Sequence, residues 1–91
     1  MAVTRRPNVI EMTAAADATT ESVMIMQLLW NASVTVGDDL EIKNTNGDVL
    51  LKVKSDGSGF QPIAWPFGRV ILSGGFETDV LDAGTVEYIL A

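Results

Sequence analysis

From Asp39 to Lys54 the chain alternates apolar and polar positions with a period of two. Leu40 and Ile42 fall on one side of the first run. In the second, Val49, Leu51 and Val53 oppose Leu50, Lys52 and Lys54. Successive side chains of a strand point to opposite faces, so this period predicts two half-buried strands. Asn46-Gly47 lies between them, within Asn44-Thr45-Asn46-Gly47-Asp48. Asn-Gly suits a type I′ turn, whose two central residues need positive φ, and the pair predicts a hairpin here.

The same alternation predicts further short strands over residues 8–12, 33–36, 68–73, 75–81 and 85–90. Residues 22–30 are different, because both faces are apolar: Val23, Ile25 and Leu29 on one, Met24, Met26, Leu28 and Trp30 on the other. Such a strand is either central between two packed layers or half covered by another subunit. Residues 13–20 (TAAADATT) are too short and too weakly amphipathic for a stable helix, and predict a loop or a single helical turn. Residues 55–67 hold Pro62 and Pro66. Proline cannot donate to a central ladder, which makes this stretch an ordered loop or a sheet edge. Strand signals recurring about every 10 residues fit an all-β fold. The expectation is a small single-domain β-sandwich or barrel of about six to eight mostly antiparallel strands. Residues 1–21 are expected to form an extended N-terminal arm and connector, and residues 22–91 the β domain.

Composition narrows the function. With 91 residues, the apolar gain from one small core and the entropy cost of ordering the chain are of similar size, so burial against a partner would add useful stability. The chain has no cysteine and no histidine. That removes disulfides, thiolate and imidazole metal ligands, and Ser-His-Asp or thiol catalysis. Twelve acidic and six basic residues give a net charge of −6, which disfavours phosphate backbones as partners. Arg5-Arg6 is too short for a nucleic-acid or nuclear signal. The longest apolar stretch, Val23 to Trp30, is far short of the ~20 residues that span a bilayer, and no secretory h-region follows Arg6. The expectation is a protein made in a cytoplasm that binds neither nucleic acid nor membrane.

The remaining polar motifs read as turns. Asp38-Asp39 would point to opposite faces of a strand. Asp56-Gly57-Ser58-Gly59 starts like a calcium loop, yet Phe67 stands at the twelfth position where a bidentate glutamate is needed. Asn44, Asn46 and Asp48 are accounted for by the hairpin turn. Asn31-Ala32-Ser33 matches a glycosylation pattern that has no consequence without secretion. No catalytic residue, metal ligand or cofactor is expected. The candidate partner-binding residues are Arg5, Arg6, Val9 and Ile10 on the arm, where Val9 and Ile10 would add a strand to a neighbour and the arginines would meet acidic groups. Met24 and Met26 on the second apolar face of residues 22–30 are a further pair. Trp65 and Phe67 complete the set, either as core anchors or as a surface for a partner or a sugar ring.

Three segments resemble small all-β structural proteins of tailed bacteriophages: VMIMQLLW, VTVGDDLEIKNTNGDVLLKVK and the closing LDAGTVEYIL. In order they are a Trp-terminated strand, a Gly-Asp-Asp-Leu entry, an Asn-Gly hairpin and a last strand with a tyrosine. The resemblance covers about two-thirds of the chain and departs in the N-terminal segment and the Pro- and aromatic-rich middle. It implies a non-enzymatic virion protein, foremost a capsid decoration (cement) protein that binds and stabilises the shell. It also implies self-association, with a trimer as the expected form, and contact with the major capsid protein or another virion protein. The alternative is a head- or tail-associated module that binds carbohydrate or a host surface.

Overall fold

The computed structural model describes residues 2–68 and 70–91. Ten strands are present among them: β1 (Val3–Arg6), β2 (Val9–Met12), β3 (Asp17–Thr19), β4 (Val23–Asn31), β5 (Asp39–Asn44), β6 (Val49–Lys54), β7 (Phe60–Ala64), β8 (Ile71–Leu72), β9 (Phe76–Leu81) and β10 (Thr85–Leu90). All pair antiparallel. The larger sheet runs β1-β2-β10-β4-β7, with β8 beside β7 on the same side of β4, and the smaller runs β3-β9-β5-β6. The all-β expectation is met. The strand number exceeds it because β1, β3 and β8 are pieces of two to four residues, too short to show a period.

Inner faces of both sheets feed one apolar core. Ile10, Met12, Ile25, Leu28, Trp30, Val86 and Tyr88 come from the larger sheet, and Leu40, Ile42 and Phe76 from the smaller. Phe76 meets Tyr88 edge to face at 4.5 Å between centroids, the favoured geometry for two aromatic quadrupoles. The Tyr88 hydroxyl lies 2.6 Å from Thr78 Oγ1, so the phenol has a partner inside the core. Burial pushes the Tyr88 pKa up, with the Thr78 hydrogen bond opposing it in part.

Several local expectations are corrected. The β5–β6 hairpin is present, but its turn is not type I′. Only Gly47 has positive φ (85°), and its N–H donates to the Asn44 carbonyl at 3.1 Å. This is an i→i+3 turn closed by a left-handed glycine, the usual three-residue alternative to the two-residue hairpin loop. Asn44 organises it: Oδ1 accepts from the N–H groups of Asn46 and Asp48, both at 3.0 Å.

The two-sided pattern of β4 is resolved by a bulge. Ile89 opposes Gln27 and Leu90 opposes Ile25, so Met26 is an extra residue in the ladder. One added residue flips the facing of all that follow. Val23 and Ile25 point inward before it, Leu28 and Trp30 after it. In β6 a similar register shift turns Val49 outward and lets Leu50 pack on the core with Leu51 and Val53.

Residues 33–36 form no strand. They are a loop tied to residues 55–59 by bonds such as Gly59 N to Ser33 O (3.1 Å) and Gly37 N to Ser55 O (3.0 Å). The strand expected over 68–73 is β8 alone, with Arg69 outside the described residues.

The expected N-terminal arm is instead folded in. β1 and β2 form a hairpin, and β2 pairs along β10 from Met12↔Val86 to Val9↔Ile89. Residues 13–20 contain β3 rather than a helical turn. Asp17, at its start, is buried and accepts the N–H groups of Ala2, Thr13 and Ala14 on Oδ2. Met1 lies outside the described residues. At Gly75 the chain passes so close to the β3–β4 connection that an added Cβ would come within 1.8 Å of the Thr19 carbonyl oxygen, which explains the glycine there.

Candidate functional site

Residues paired across a sheet share a face, so the register sorts the candidates. Outward rows of the larger sheet are Arg6–Val9–Ile89–Gln27–Ala64 and Thr4–Glu11–Glu87–Leu29–Pro62. The next is Thr85–Asn31–Phe60, and at the other end of β4 Met24 pairs with Ile71. The half of this face near β1 and β2 carries charge. The Arg6 guanidinium bonds Glu87 Oε2 at 2.8 Å, and Asn31 Nδ2 donates to Glu87 Oε1 at 2.7 Å.

Among the described residues, the half formed by β4, β7 and β8 carries none. Residues 22–37 hold no charged side chain, and residues 57–76 hold only Arg69, which lies outside the described residues. The remaining charges of the molecule lie elsewhere in sequence. On this flank the large apolar side chains stand in solvent: Met26 at the bulge is 56% exposed, Ile71 58%, Val34 70% and Val36 75%. Phe60, Phe67 and Val70 are also exposed. Val36 lies over Gly57, where an added Cβ would come to 2.8 Å of its Cγ2, so the valine loop is packed onto the 57–59 turn.

The flank is a poor template for strand addition, because β7 is a blunted edge. Pro62 has no N–H to give, and Ser58 Oγ engages Phe60 O at 2.8 Å and Phe60 N at 3.3 Å. What it offers a partner is side-chain surface. Exposed apolar side chains in this number along one flank are a mark of an interaction surface.

The structure separates the candidates read from sequence. Met24, Met26 and Phe67 belong to this flank, Met24 half-buried and the other two exposed. Trp65 does not stand out from it. Only 7% of Trp65 is exposed, it belongs to the core cluster, and Phe67 packs on it edge to face at 5.3 Å. Ile10 is fully buried in the chain's own core, opposite Tyr88, so it is no docking residue. Val9 lies on the charged half, and its strand is already paired on both sides. The arginines meet the chain's own acids. Arg5 makes a two-pronged bond to Glu21, with Nε and Nη2 both at 2.9 Å. That bond raises the Arg5 pKa and lowers that of Glu21. Sequence reasoning put Phe60 in an exposed aromatic segment over residues 60–67, and Phe60 is exposed; it did not single out Val34, Val36, Val70 and Ile71, which are exposed as well. The signal was present as two long runs that hold a single charge, Arg69, between them, but their adjacency arises only from β4 pairing with β7 and β8.

The outer face of the smaller sheet is built differently. Lys54 Nζ meets Asp39 Oδ1 at 2.7 Å, Lys43 meets Asp79 at 3.1 Å and Lys52 meets Glu41 at 3.9 Å. Hydrogen bonds to these carboxylates raise the pKa values of Lys54 and Lys43. A depression of about 360 Å³ lies among Asp39, Glu41, Lys52 and Lys54, whose charges already satisfy one another. The sequence's acidic and turn motifs are likewise spent internally. Asp82 Oδ2 accepts from Asp39 N, and Asp56 Oδ1 accepts from Ser58 N. Among the described residues, no three acidic side chains gather where a metal ion would sit.

Comparison with known proteins returns no match: no family model, curated protein or solved structure is significantly similar to this chain.

Proposed function

We propose that this chain is a non-enzymatic structural protein that works by docking, as a capsid decoration (cement) protein of a tailed-bacteriophage particle. The observation that carries the docking role is the exposed apolar flank of β4, β7, β8 and the valine loop, without charge among the described residues, on a molecule of net charge −6. Water-facing surfaces of soluble proteins interleave charge, and among the described residues β4, β7 and β8 carry none. The resemblance of the β4, β5–β6 and β10 segments to phage structural proteins supplies the virion assignment. On this reading the two sheets are the layers of a β-sandwich, the copies associate as a trimer, and the flank faces a second copy or the major capsid protein. Burying exposed side chains such as Met26, Phe67 and Ile71 gives a small domain apolar contact that its own core does not supply.

The glycan-binding alternative needs an exposed indole, and Trp65 is buried. The aromatic surface left to a sugar is Phe60 and Phe67, which lack the polar tip that tryptophan or tyrosine gives a carbohydrate site.

Mass spectrometry of purified particles tests the proposal by copy number. Decoration requires on the order of hundreds of copies in symmetric arrays. A dozen or fewer would move the protein to a tail or vertex, and absence from the particle would remove the virion role.

A further inference from the structure

The chain has four asparagines, at positions 8, 31, 44 and 46, and their surroundings differ in a way that bears on covalent stability. An asparagine deamidates when the backbone nitrogen of the next residue attacks its side-chain carbonyl. Bulk on that next residue hinders the attack, and hydrogen bonds that hold the side chain prevent it. Asn8 precedes β-branched Val9 in the β1–β2 turn, whose backbone is held by Leu90 N donating to the Asn8 main-chain carbonyl at 2.8 Å. Asn31 precedes Ala32, and its Nδ2 is held by Glu87. Asn44 precedes β-branched Thr45, and both ends of its amide are engaged: Oδ1 by Asn46 N and Asp48 N, Nδ2 by Asp48 Oδ2 at 3.3 Å.

Asn46 is exposed at the tip of the β5–β6 hairpin, and among the described residues its side chain has no hydrogen-bond partner. Among the same residues Asn8 is exposed with an unheld side chain too, so what sets Asn46 apart from it is the next residue. Gly47 follows it, with no side chain and no heavy atom near the place where a Cβ would stand. The turn is built by the Asn44 side chain, so that of Asn46 is not needed to hold it.

We infer that Asn46 is a site of spontaneous deamidation in the folded protein, and that the other three asparagines are not. The Gly47 nitrogen bonds to Asn46 Cγ, and the side-chain nitrogen leaves as ammonia, taking up the proton that Gly47 loses. Water then opens the five-membered imide at either carbonyl, giving aspartate or isoaspartate. The sum is one water consumed and one ammonia released, with no change of oxidation state. The Gly47 N–H first has to leave the Asn44 carbonyl, so the rate reads opening of this turn. The product adds one negative charge beside Asp48. The isoaspartate form also lengthens the backbone by one atom, which the bonds from Asn44 Oδ1 to the Asn46 and Asp48 amides cannot follow.

The experiment is to hold the full-length folded protein in warm, mildly alkaline buffer and map its peptides by mass spectrometry, with isoaspartate methylation as a second readout. A gain of about 1 Da confined to the peptide bearing Asn46, faster in urea than in the native chain, is expected. An Asn46→Gln variant, which would need a less favourable six-membered ring, should show no gain over the same period while keeping the turn. A native chain that stays unmodified while the urea-unfolded chain converts would overturn the inference, showing that the turn locks the Gly47 amide. Equal conversion at Asn44, Asn31 or Asn8 would overturn the selectivity argued from the neighbours.

Discussion

The outer faces of the two sheets solve opposite problems with the same backbone. On the smaller sheet, Asp39 faces Lys54 and Glu41 faces Lys52 across β5 and β6, so opposite charges fall in register and each keeps its water. On the β4–β7–β8 half of the larger sheet the corresponding places hold Leu29 against Pro62, Gln27 against Ala64 and Met24 against Ile71. Exposed ion pairs add little stability, so the first pattern is about solubility and register rather than strength. The second pattern costs solubility and does nothing for the isolated fold. On the proposed function, such a face is the one that docks.

The sharpest way to break this comparison uses two aromatic neighbours on the flank. Trp65 is core and Phe67 is surface, although their rings pack together. Trp65→Ala should lose about 3–5 kcal/mol in urea unfolding, the usual cost of emptying a large buried site. Phe67→Ala should lose less than about 1 kcal/mol in the same experiment, because its other side is already wet. Comparable losses would mean that the flank belongs to the core and is not held out for a partner.

A second prediction concerns the core that both faces rest on. Tyr88 is the chain's sole tyrosine, and burial raises its pKa above the ordinary value of 10.0. In the unfolded chain the phenol ionises near that value, while the native chain keeps its proton. Above pH 10 the unfolded state therefore binds fewer protons, and stability falls as pH rises by about 1.4 kcal/mol per unit. Phenolate absorbance should appear together with loss of the native circular dichroism signal. Its appearance at the ordinary pKa in a fully folded chain would place Tyr88 at the surface.

The third effect is smaller and of opposite sign. Ala32, where β4 leads into the valine loop, has φ of 63°, a conformation that strains any residue with a Cβ. Ala32→Gly should stabilise the chain by about 0.5–1 kcal/mol, the relief of strain exceeding the entropy gained by the unfolded chain. Association through the flank should be unchanged, which separates local strain from docking.

How much of this was legible in the sequence follows from which forces are local. β10 and β5 occur at the residues their alternation predicts, because period two reports a one-sided strand directly. The facing of β4 was not legible: a bulge at Met26 changes phase without changing composition, and only the ladder with β10 reveals it. The Asn46-Gly47 signal placed the hairpin correctly and its turn type wrongly, since the Asn44 side chain competes for the same amides. Val-Thr-Arg-Arg in β1 gave no strand signal because an edge strand with four exposed residues has no apolar period. Residues 33–36 gave a false one. Val34 and Val36 alternate as a strand would, yet both stand in solvent. Of the candidate residues, Met26 and Phe67 are exposed and Met24 half-buried, Trp65 takes the core side of the two places left open for it, and Ile10 is buried, because apolar character alone does not say which side of a sheet a residue takes.

Sedimentation of the purified chain at micromolar concentration, run beside two charge variants, tests the docking face most directly. Ile71→Lys puts a charge on the flank, and Lys52→Glu reverses one on the smaller sheet, where surface changes are worth about 0.5 kcal/mol or less in stability. The native chain and Lys52→Glu should both sediment as assemblies several times heavier than 9.7 kDa, and Ile71→Lys as a folded monomer. A native chain that stays monomeric throughout, or an Ile71→Lys chain that assembles as the native one does, would contradict the assignment of the apolar flank as the surface through which this protein assembles.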